Sequence, residues 1–327
     1  MHSFEELYQL FSSRLEEEIV LLKAREPKNL YEPVIYTLNM GGKRLRPILL
    51  LMACELFGSE TEEAFPAAFA IEMFHNFTLL HDDIMDGAVL RRNNETIHIK
   101  YSSNTAILSG DAMSILSYEY INKCKSPNYR QVFDQFTNTA LKICEGQQFD
   151  MDYETRDDVS VSEYLNMIGL KTAVLIASSL KIGALIAMAP SEDAHALFEF
   201  GFNLGMAFQL QDDYLDTFGD TNSFGKNIGG DIVANKKTFM MLKALELAKG
   251  ETLRELRRFI SSVNFNREEK IKDVRRIYMD LGVVELTRKK MEEYYQQSIQ
   301  FLDQIKIDSL KKNQLLNIAK KVMKRQS

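Results

Sequence analysis

The sequence predicts an all-α protein, and three observations lead there. Strong helix formers (Leu, Ala, Glu, Lys, Gln and Met) fill its apolar-periodic stretches. Only six prolines occur, and Pro190 is the sole one after Pro127, so little interrupts a long helix. Strand signals are sparse, with no Asn-Gly turn between alternating apolar runs. Across 327 residues no composition shift, Gly/Ser-rich linker or low-complexity run marks a boundary. Residues 1–327 therefore read as a single domain.

The elements follow in order. Residues 3–25 make an opening amphipathic helix, and its acidic start, MHSFEELYQLF, is unlike a signal peptide. A second helix runs from Pro33 and stops at Asn39-Met40-Gly41-Gly42, a glycine end signal. Arg46-Pro47 begins a third, through to Phe57. Helices then cover 62–86, 105–123, 128–153, 161–189, 192–218 and 231–249, followed by several charged helices. Ser160-Val161-Ser162-Glu163 is a capping box at one of these starts. Segment 172–189 is apolar except for Ser178, Ser179 and Lys181, and so imitates a membrane span. A Lys at the bilayer centre costs roughly 2.5–3.5 kcal/mol, whereas a helix apolar all round suits the middle of a large bundle. It is read as a buried core helix, with no membrane span.

The net charge of −6 argues against a nucleic-acid partner. An anionic ligand has to be drawn by local cations or by metal. Cys54, Cys124 and Cys144 are odd in number and lack metal-type spacing. They read as reduced core residues of a cytoplasmic protein.

Two acidic clusters say most about chemistry. Asp82-Asp83-Ile84-Met85-Asp86 and Asp212-Asp213-Tyr214-Leu215-Asp216 repeat one spacing, 130 residues apart. On a helix, residues four apart are neighbours, with Cβ atoms roughly 5–6 Å apart. Gly87 and Gly219 follow closely, which puts both clusters near helix C-termini, where the macrodipole disfavours anions. A chain that does this twice holds cations. Oxygen-only ligands select hard ions, and Mg²⁺ takes one or two carboxylates plus substrate phosphates. A site shared by both clusters requires helices 62–86 and 192–218 to face each other.

Basic residues complement them. Gly41-Gly42-Lys43-Arg44-Leu45-Arg46-Pro47 is a glycine hinge feeding a basic helix start, which suits phosphate. Arg91-Arg92 lies just beyond the first cluster, Lys226 and Lys236 beyond the second, and Lys171-Thr172 opens the most apolar helix. Glu72–His75 and Glu95–His98 have the Glu-x-x-His spacing of di-iron bundles, but the matching extra glutamates are missing. His75 lies two turns before Asp82 and can line the same wall, while His81 packs or orients a neighbour.

Together, GGKRLRP, HDDIMDGAVLRR, LKTA, and FQLQDDYLD followed by GK and NKKT closely resemble the trans-isoprenyl diphosphate synthases, the polyprenyl synthetase family. The resemblance runs in order from about residue 30 to 240. It implies an antiparallel helical bundle of the isoprenoid synthase type around a deep central cavity, working as a homodimer. Asp82, Asp86 and Asp212 match the principal ligands of three Mg²⁺ ions, for which Mn²⁺ can substitute, with Asp83, Asp213 and Asp216 supporting. Lys43, Arg46, His75 and Arg92 match positions that hold isopentenyl diphosphate. Arg91, Lys171, Thr172, Gln209, Lys226 and Lys236 match positions around the allylic diphosphate (dimethylallyl, geranyl or farnesyl). Asp82, Asp86, Arg91, Lys171, Asp212 and Lys226 are the residues expected to carry ionisation.

The implied reaction is a short-chain prenyl transfer giving farnesyl or geranylgeranyl diphosphate. Its length is expected from the wall of helix 62–86. Phe77 lies about 7.5 Å and Phe74 about 12 Å along the axis from Asp82, with Thr78 between Phe77 and the cluster. In the family a large aromatic at the Phe77 position stops elongation early. Two places depart from the pattern: Asn93 and Glu95 stand where the family has Gly and Pro, while Thr96 and His98 remain. The basic tail (Lys320, Lys321, Lys324, Arg325) reads as a solvated helix end. The rival readings are a longer-chain polyprenyl synthase, a class I terpene cyclase, which needs one diphosphate site, and a non-catalytic partner subunit, which typically loses carboxylates.

Overall fold

Helix α1 (Phe4–Lys23) opens on a capping box, in which Ser3 accepts from the Glu6 N–H and the Glu6 carboxylate accepts from the Ser3 N–H. Leu7, Phe11, Leu15, Ile19 and Leu22 form its buried stripe. The computed structural model describes residues 1–219, 228–262 and 264–323. After α1 come α2 (Lys28–Asn39), α3 (Leu45–Leu56) and α4 (Thr61–Met85). A two-stranded hairpin, β1 (Leu90–Arg91) and β2 (Asn94–Glu95), leads to α5 (Ile97–Lys100), α6 (Ser103–Ile121) and α7 (Tyr129–Thr155). Next are α8 (Val161–Ile168), a π-turn at Gly169–Ala173, α9 (Val174–Ile186) and α10 (Ser191–Phe218). Helices Gly230–Val233, Phe239–Leu247, Gly250–Ser261, Arg267–Asp280, Val283–Gln304 and Ser309–Met323 complete the order.

The chain forms two compact units, divided inside α7, α9, α10 and the last helix. The first comprises Met1–Ala140, Ser178–Leu197 and Lys306–Leu315. Within it α4 packs against both α3 and α6. Residues Pro47–Cys54 of α3 are all buried, so that helix is core on every face. The second unit comprises Leu141–Ala177, Phe198–Ile305 and Leu316–Ser327. One of its apolar clusters joins Tyr164, Met167, Met206, Leu210 and Phe239. Another joins Met240, Leu256, Val274, Ile277 and Tyr278.

Several expectations need correction. α2 begins at Lys28 and carries Pro33 in its interior, so the proline is tolerated at the cost of one helical hydrogen bond rather than marking the start. The expected helix 231–249 is broken between Val233 and Phe239. Asn235 there adopts φ 54° and donates to the Ile260 carbonyl at 3.1 Å, a distant partner that local sequence does not reveal. The hairpin was not expected. Its turn residues Arg92 and Asn93 have φ 52° and 62°, the doubly left-handed turn of tight hairpins, and Asn is suited to it. Cys54 and Cys124 are buried, but Cys144 is exposed rather than core. The helical run Val161–Ile186 is long and apolar enough to cross a bilayer, yet 78% of its most apolar window is buried in protein, as a core helix requires.

Candidate active site

In the first unit, α2 ends at Asn39 and the chain turns through Gly41 (φ 75°), Gly42 (φ 133°) and Arg44 (φ 47°) before α3 starts. Gly42 suits this turn because its φ of 133° strains any L side chain, and a Cβ there would also displace the Arg92 guanidinium, 2.7 Å away. Arg92 fills that space and donates to the Gly41 carbonyl. Arg46 Nη1 lies 3.1 Å from His75 Nε2. Arginine can only donate, so Nε2 accepts and the imidazole is neutral. Burial holds the His75 pKa well below its ordinary value, and the charges of Arg46, Arg92, Arg91 and Arg44 push the same way. Arg46, His75 and Arg92 are thus brought together, while Lys43 is exposed on the same loop.

The first acidic cluster closes α4, with Asp86 as an exposed C-cap and Gly87 left-handed beyond it. Asp83 is turned inward, 4% exposed. Arg91 Nε donates to its two carboxylate oxygens at 2.8 and 2.7 Å, and Arg91 Nη2 is 2.7 Å from Oδ1. Burial pushes the Asp83 carboxyl above its ordinary value, with Arg91 pulling against it. The hairpin register, Arg91 opposite Asn94, is held by Thr96, whose hydroxyl donates to the Ala88 carbonyl at 2.6 Å. Earlier on α4, Phe77 is half-buried with its ring edge-to-face on His81 (4.8 Å) and on Phe74 (5.4 Å). Phe74 is fully buried against Phe136 of α7 at 5.7 Å. Thr78 spends its hydroxyl on the His75 carbonyl at 2.8 Å.

In the second unit, Lys171 and Thr172 sit on the π-turn. A π-turn commonly marks a functional position. Gly146 of α7 permits it, since a Cβ there would lie 2.4 Å from the Lys171 backbone nitrogen. The Lys171 ammonium pairs with Asp150 at 2.6 Å. A chain of hydrogen bonds then runs inward. Thr172 Oγ1 donates to Gln209 Oε1 at 3.0 Å, and Gln209 Nε2 donates to Asp213 Oδ1 at 2.9 Å. The Tyr164 hydroxyl donates to Asp213 Oδ2. Asp213 is 8% exposed, and its pKa is raised, first by burial and then by the negative charge of Asp231. Asp216 Oδ2 accepts from the Asp231 N–H at 2.9 Å, and its carbonyl accepts from Gly229 N–H at 2.7 Å. The second cluster is thereby tied to the loop bearing Lys236. Lys226 lies outside the described residues.

Four residues at these positions escaped the sequence reading. Asp231 had a usable signal, a carboxylate after Gly229-Gly230 and just before Lys236-Lys237. Tyr164 and Arg44 had none, and Asp150 only its place five residues before the end of α7.

The polyprenyl synthetase model matches residues 27–279. The chain belongs to the polyprenyl synthetase family. Its members are prenyltransferases of the all-α isoprenoid synthase fold, and this chain is one of them. A geranylgeranyl diphosphate synthase of Sulfolobus acidocaldarius is 38% identical over 282 residues, 84% of each chain. A geranylfarnesyl diphosphate synthase of Natronomonas pharaonis is 40% identical over 241 residues, 68% of this chain and 71% of that one. A crystal structure of a geranylgeranyl pyrophosphate synthase superposes with a TM-score of 0.94 at 44% identity, covering 100% of both chains.

Polyprenyl synthetases work with divalent metal, and the donor chemistry here fits. Every cluster donor is a carboxylate oxygen, as Mg²⁺ prefers. Among the described residues no group of three or more His, Cys, Asp or Glu side chains forms a ready-made metal cage. Both oxygens of Asp83 and of Asp213 accept from protein donors, and Asp216 Oδ2 accepts from the Asp231 N–H.

Proposed function

We propose that this polyprenyl synthetase joins isopentenyl diphosphate to an allylic diphosphate by 1′–4 coupling, with geranylgeranyl diphosphate the favoured product and farnesyl diphosphate the shorter alternative. The observation that carries this is that each unit has its own set of phosphate-type donors. Arg46, His75 and Arg92 form one, and Lys171 with Thr172 and Gln209 forms the other. A reaction with a single diphosphate needs only one.

In this reading Lys43, Arg46, His75 and Arg92 hold isopentenyl diphosphate. Lys171, Thr172, Gln209, Lys226, Lys236 and Arg91 hold the allylic diphosphate. Bound Mg²⁺, carried chiefly by Asp82, Asp86 and Asp212, supplies Lewis-acid neutralisation of the leaving diphosphate. The neutral His75 donates through Nδ1 while its Nε2 accepts from Arg46, so it can orient a phosphate oxygen without taking its proton. The allylic C–O bond breaks, the double bond of isopentenyl diphosphate forms the new C–C bond, and a proton leaves to the departing diphosphate. Fixed cations stabilise that departing charge. The hydrocarbon extends along α4 toward Phe77.

The 327 residues act as one synthase domain, in the cytoplasm. The family match spans both units, which supports this. A homodimer is supported by α6, where Ile107, Leu108 and Ile115 are 44%, 60% and 70% exposed on one face.

The test is to mix purified protein, Mg²⁺, isopentenyl diphosphate and dimethylallyl, geranyl or farnesyl diphosphate, and to size the products. Elongation ending at geranylgeranyl diphosphate is expected. A cyclic hydrocarbon made from the allylic substrate alone would identify a cyclase, and no turnover with any primer a partner subunit. Accumulation of geranylfarnesyl or longer diphosphates would move the chain to the longer-chain group.

A further inference from the structure

Of the four residues Lys43-Arg44-Leu45-Arg46, Arg44 alone is buried. Its side chain is 6% exposed and faces Glu72 of α4, itself 3% exposed. Its backbone is left-handed, φ 47° and ψ 31°, a conformation costing a non-glycine residue roughly 1–2 kcal/mol. Something must hold it there, and the side chain makes the necessary contacts. Nη1 donates to Glu72 Oε1. Nη2 donates to the Leu38 carbonyl in the last turn of α2 at 2.5 Å, where the helix dipole favours a cation. Glu72 is fixed in turn by Asn76, whose Nδ2 donates to Glu72 Oε1 and to the Glu72 carbonyl, both at 2.8 Å.

Stability alone is a poor reason for this arrangement. A buried ion pair roughly breaks even against well-packed apolar side chains. Its geometry is more informative. Arg44 is the residue before α3, so its left-handed turn sets the direction in which α3 leaves and where Arg46 points. Glu72 lies three residues before His75 on α4, so both are on neighbouring positions of one helix face. Fixing Arg44 to Glu72 therefore fixes Arg46 to His75, the 3.1 Å contact of the first donor set. Glu72 also places a negative charge near Arg92, whose guanidinium it stabilises against burial. The charges of four arginines reach His75, and two buried carboxylates offset them, Glu72 on Arg44 and Asp83 on Arg91.

We infer that Arg44, Glu72 and Asn76 form a positioning brace that sets the affinity for isopentenyl diphosphate without touching it. The inference rests on the assignment of Arg46, His75 and Arg92 to that substrate.

The test uses the full chain with R44M/E72L, which replaces the buried pair by apolar side chains. The expected result is a folded protein by circular dichroism and melting temperature. Its KM for isopentenyl diphosphate rises roughly tenfold or more, the equivalent of one lost hydrogen bond to a charged group. The allylic KM and kcat at saturation stay near wild type. Equilibrium dialysis of labelled isopentenyl diphosphate, and separately of inorganic pyrophosphate, should show the same weakening. An E72Q variant, which keeps volume but removes charge, carries the test with the same outcomes if the double variant does not fold. A folded variant with unchanged isopentenyl diphosphate KM and unchanged dialysis binding overturns the brace. Wild-type protein that binds pyrophosphate but never transfers a prenyl group overturns the functional reading instead, and leaves the brace to be judged by dialysis.

Discussion

Replacing Phe77 by Ala should lengthen the product by one five-carbon unit. Phe77 stands five residues before Asp82, about 7.5 Å along the axis of α4. Its half-buried ring rests on His81 at 4.8 Å and on Phe74 at 5.4 Å. Edge-to-face ring contacts contribute about 0.5–1.5 kcal/mol each beyond the ring's burial, and even a fully buried Phe→Ala costs about 3–5 kcal/mol. A chain with the usual 5–15 kcal/mol of stability survives that. The ring's removal opens the path only as far as Phe74, about 4.5 Å further along the helix. Phe74 does not yield easily, because it is 2% exposed and packed on Phe136 at 5.7 Å. A single extra unit, rather than an open-ended series, is therefore expected. The assay is incubation with isopentenyl diphosphate and farnesyl diphosphate, dephosphorylation, and sizing by mass. Melting temperature is measured alongside to establish that the variant folds. An unchanged product distribution in the folded variant would mean that α4 does not form the floor. A broad ladder of long products would mean that Phe74 is not the second stop.

Asp82→Asn and Asp212→Asn should each lower turnover by roughly 10²–10³, as electrostatic losses at a developing charge do; full activity in excess chelator would remove the metal mechanism. Tyr164→Phe takes one hydrogen bond from the buried Asp213 carboxylate, an interaction in the range of about 1.5–3 kcal/mol. Roughly tenfold loss of kcat/KM for the allylic substrate and a higher Mg²⁺ requirement are expected, and an unaltered Mg²⁺ titration would count against it. His75 has its pKa depressed in the fold, so the unfolded chain binds a proton first as pH falls. Stability is then fully present above the ordinary value near 6.5 and declines below it. Urea midpoints at pH 7.5 and 5.5 should differ less in His75→Gln than in wild type, and an equal difference would refute the assignment. Light scattering should give a dimer mass that Ile115→Glu reduces to monomer, whereas an active wild-type monomer would exclude the α6 interface.

Much of the fold was legible because its signals are local. The Ser160 capping box forms as its four residues suggest, with Glu163 accepting from the Ser160 N–H at 2.8 Å. Gly87 ends α4 in the left-handed conformation its position implied. What escaped depends on distant partners. The break after Val233 is held by Lys270, whose ammonium donates to Asn235 Oδ1 at 2.8 Å across 35 residues. The π-turn at Lys171 depends on Gly146 leaving space on another helix. Arg44 and Arg46 look alike in the sequence, and a buried glutamate 28 residues from Arg44 separates their roles.

The family resemblance ranks Asp82, Asp86 and Asp212 as principal ligands, with Asp83, Asp213 and Asp216 supporting. Helix geometry gives a physical reason for setting the second position of each cluster apart. Successive residues turn by about 100°, so positions one and five of each cluster nearly eclipse, whereas position two points well to the side. The structure gives that side a consistent use. Asp83 is buried and forked by Arg91, and Asp213 is buried between Tyr164 and Gln209. Arg91 and Gln209 are residues that the family resemblance matches to positions around the allylic diphosphate. The second carboxylate of each cluster is thus held by protein donors, and in the proposed function the first is the one that would carry metal, with Asp216 also accepting from the Asp231 N–H. A repeated Asp-Asp-x-x-Asp is then a proposed ligand with an adjacent anchor, and its middle carboxylate should tolerate amidation better than its first wherever the anchor's partners can still hydrogen-bond to it.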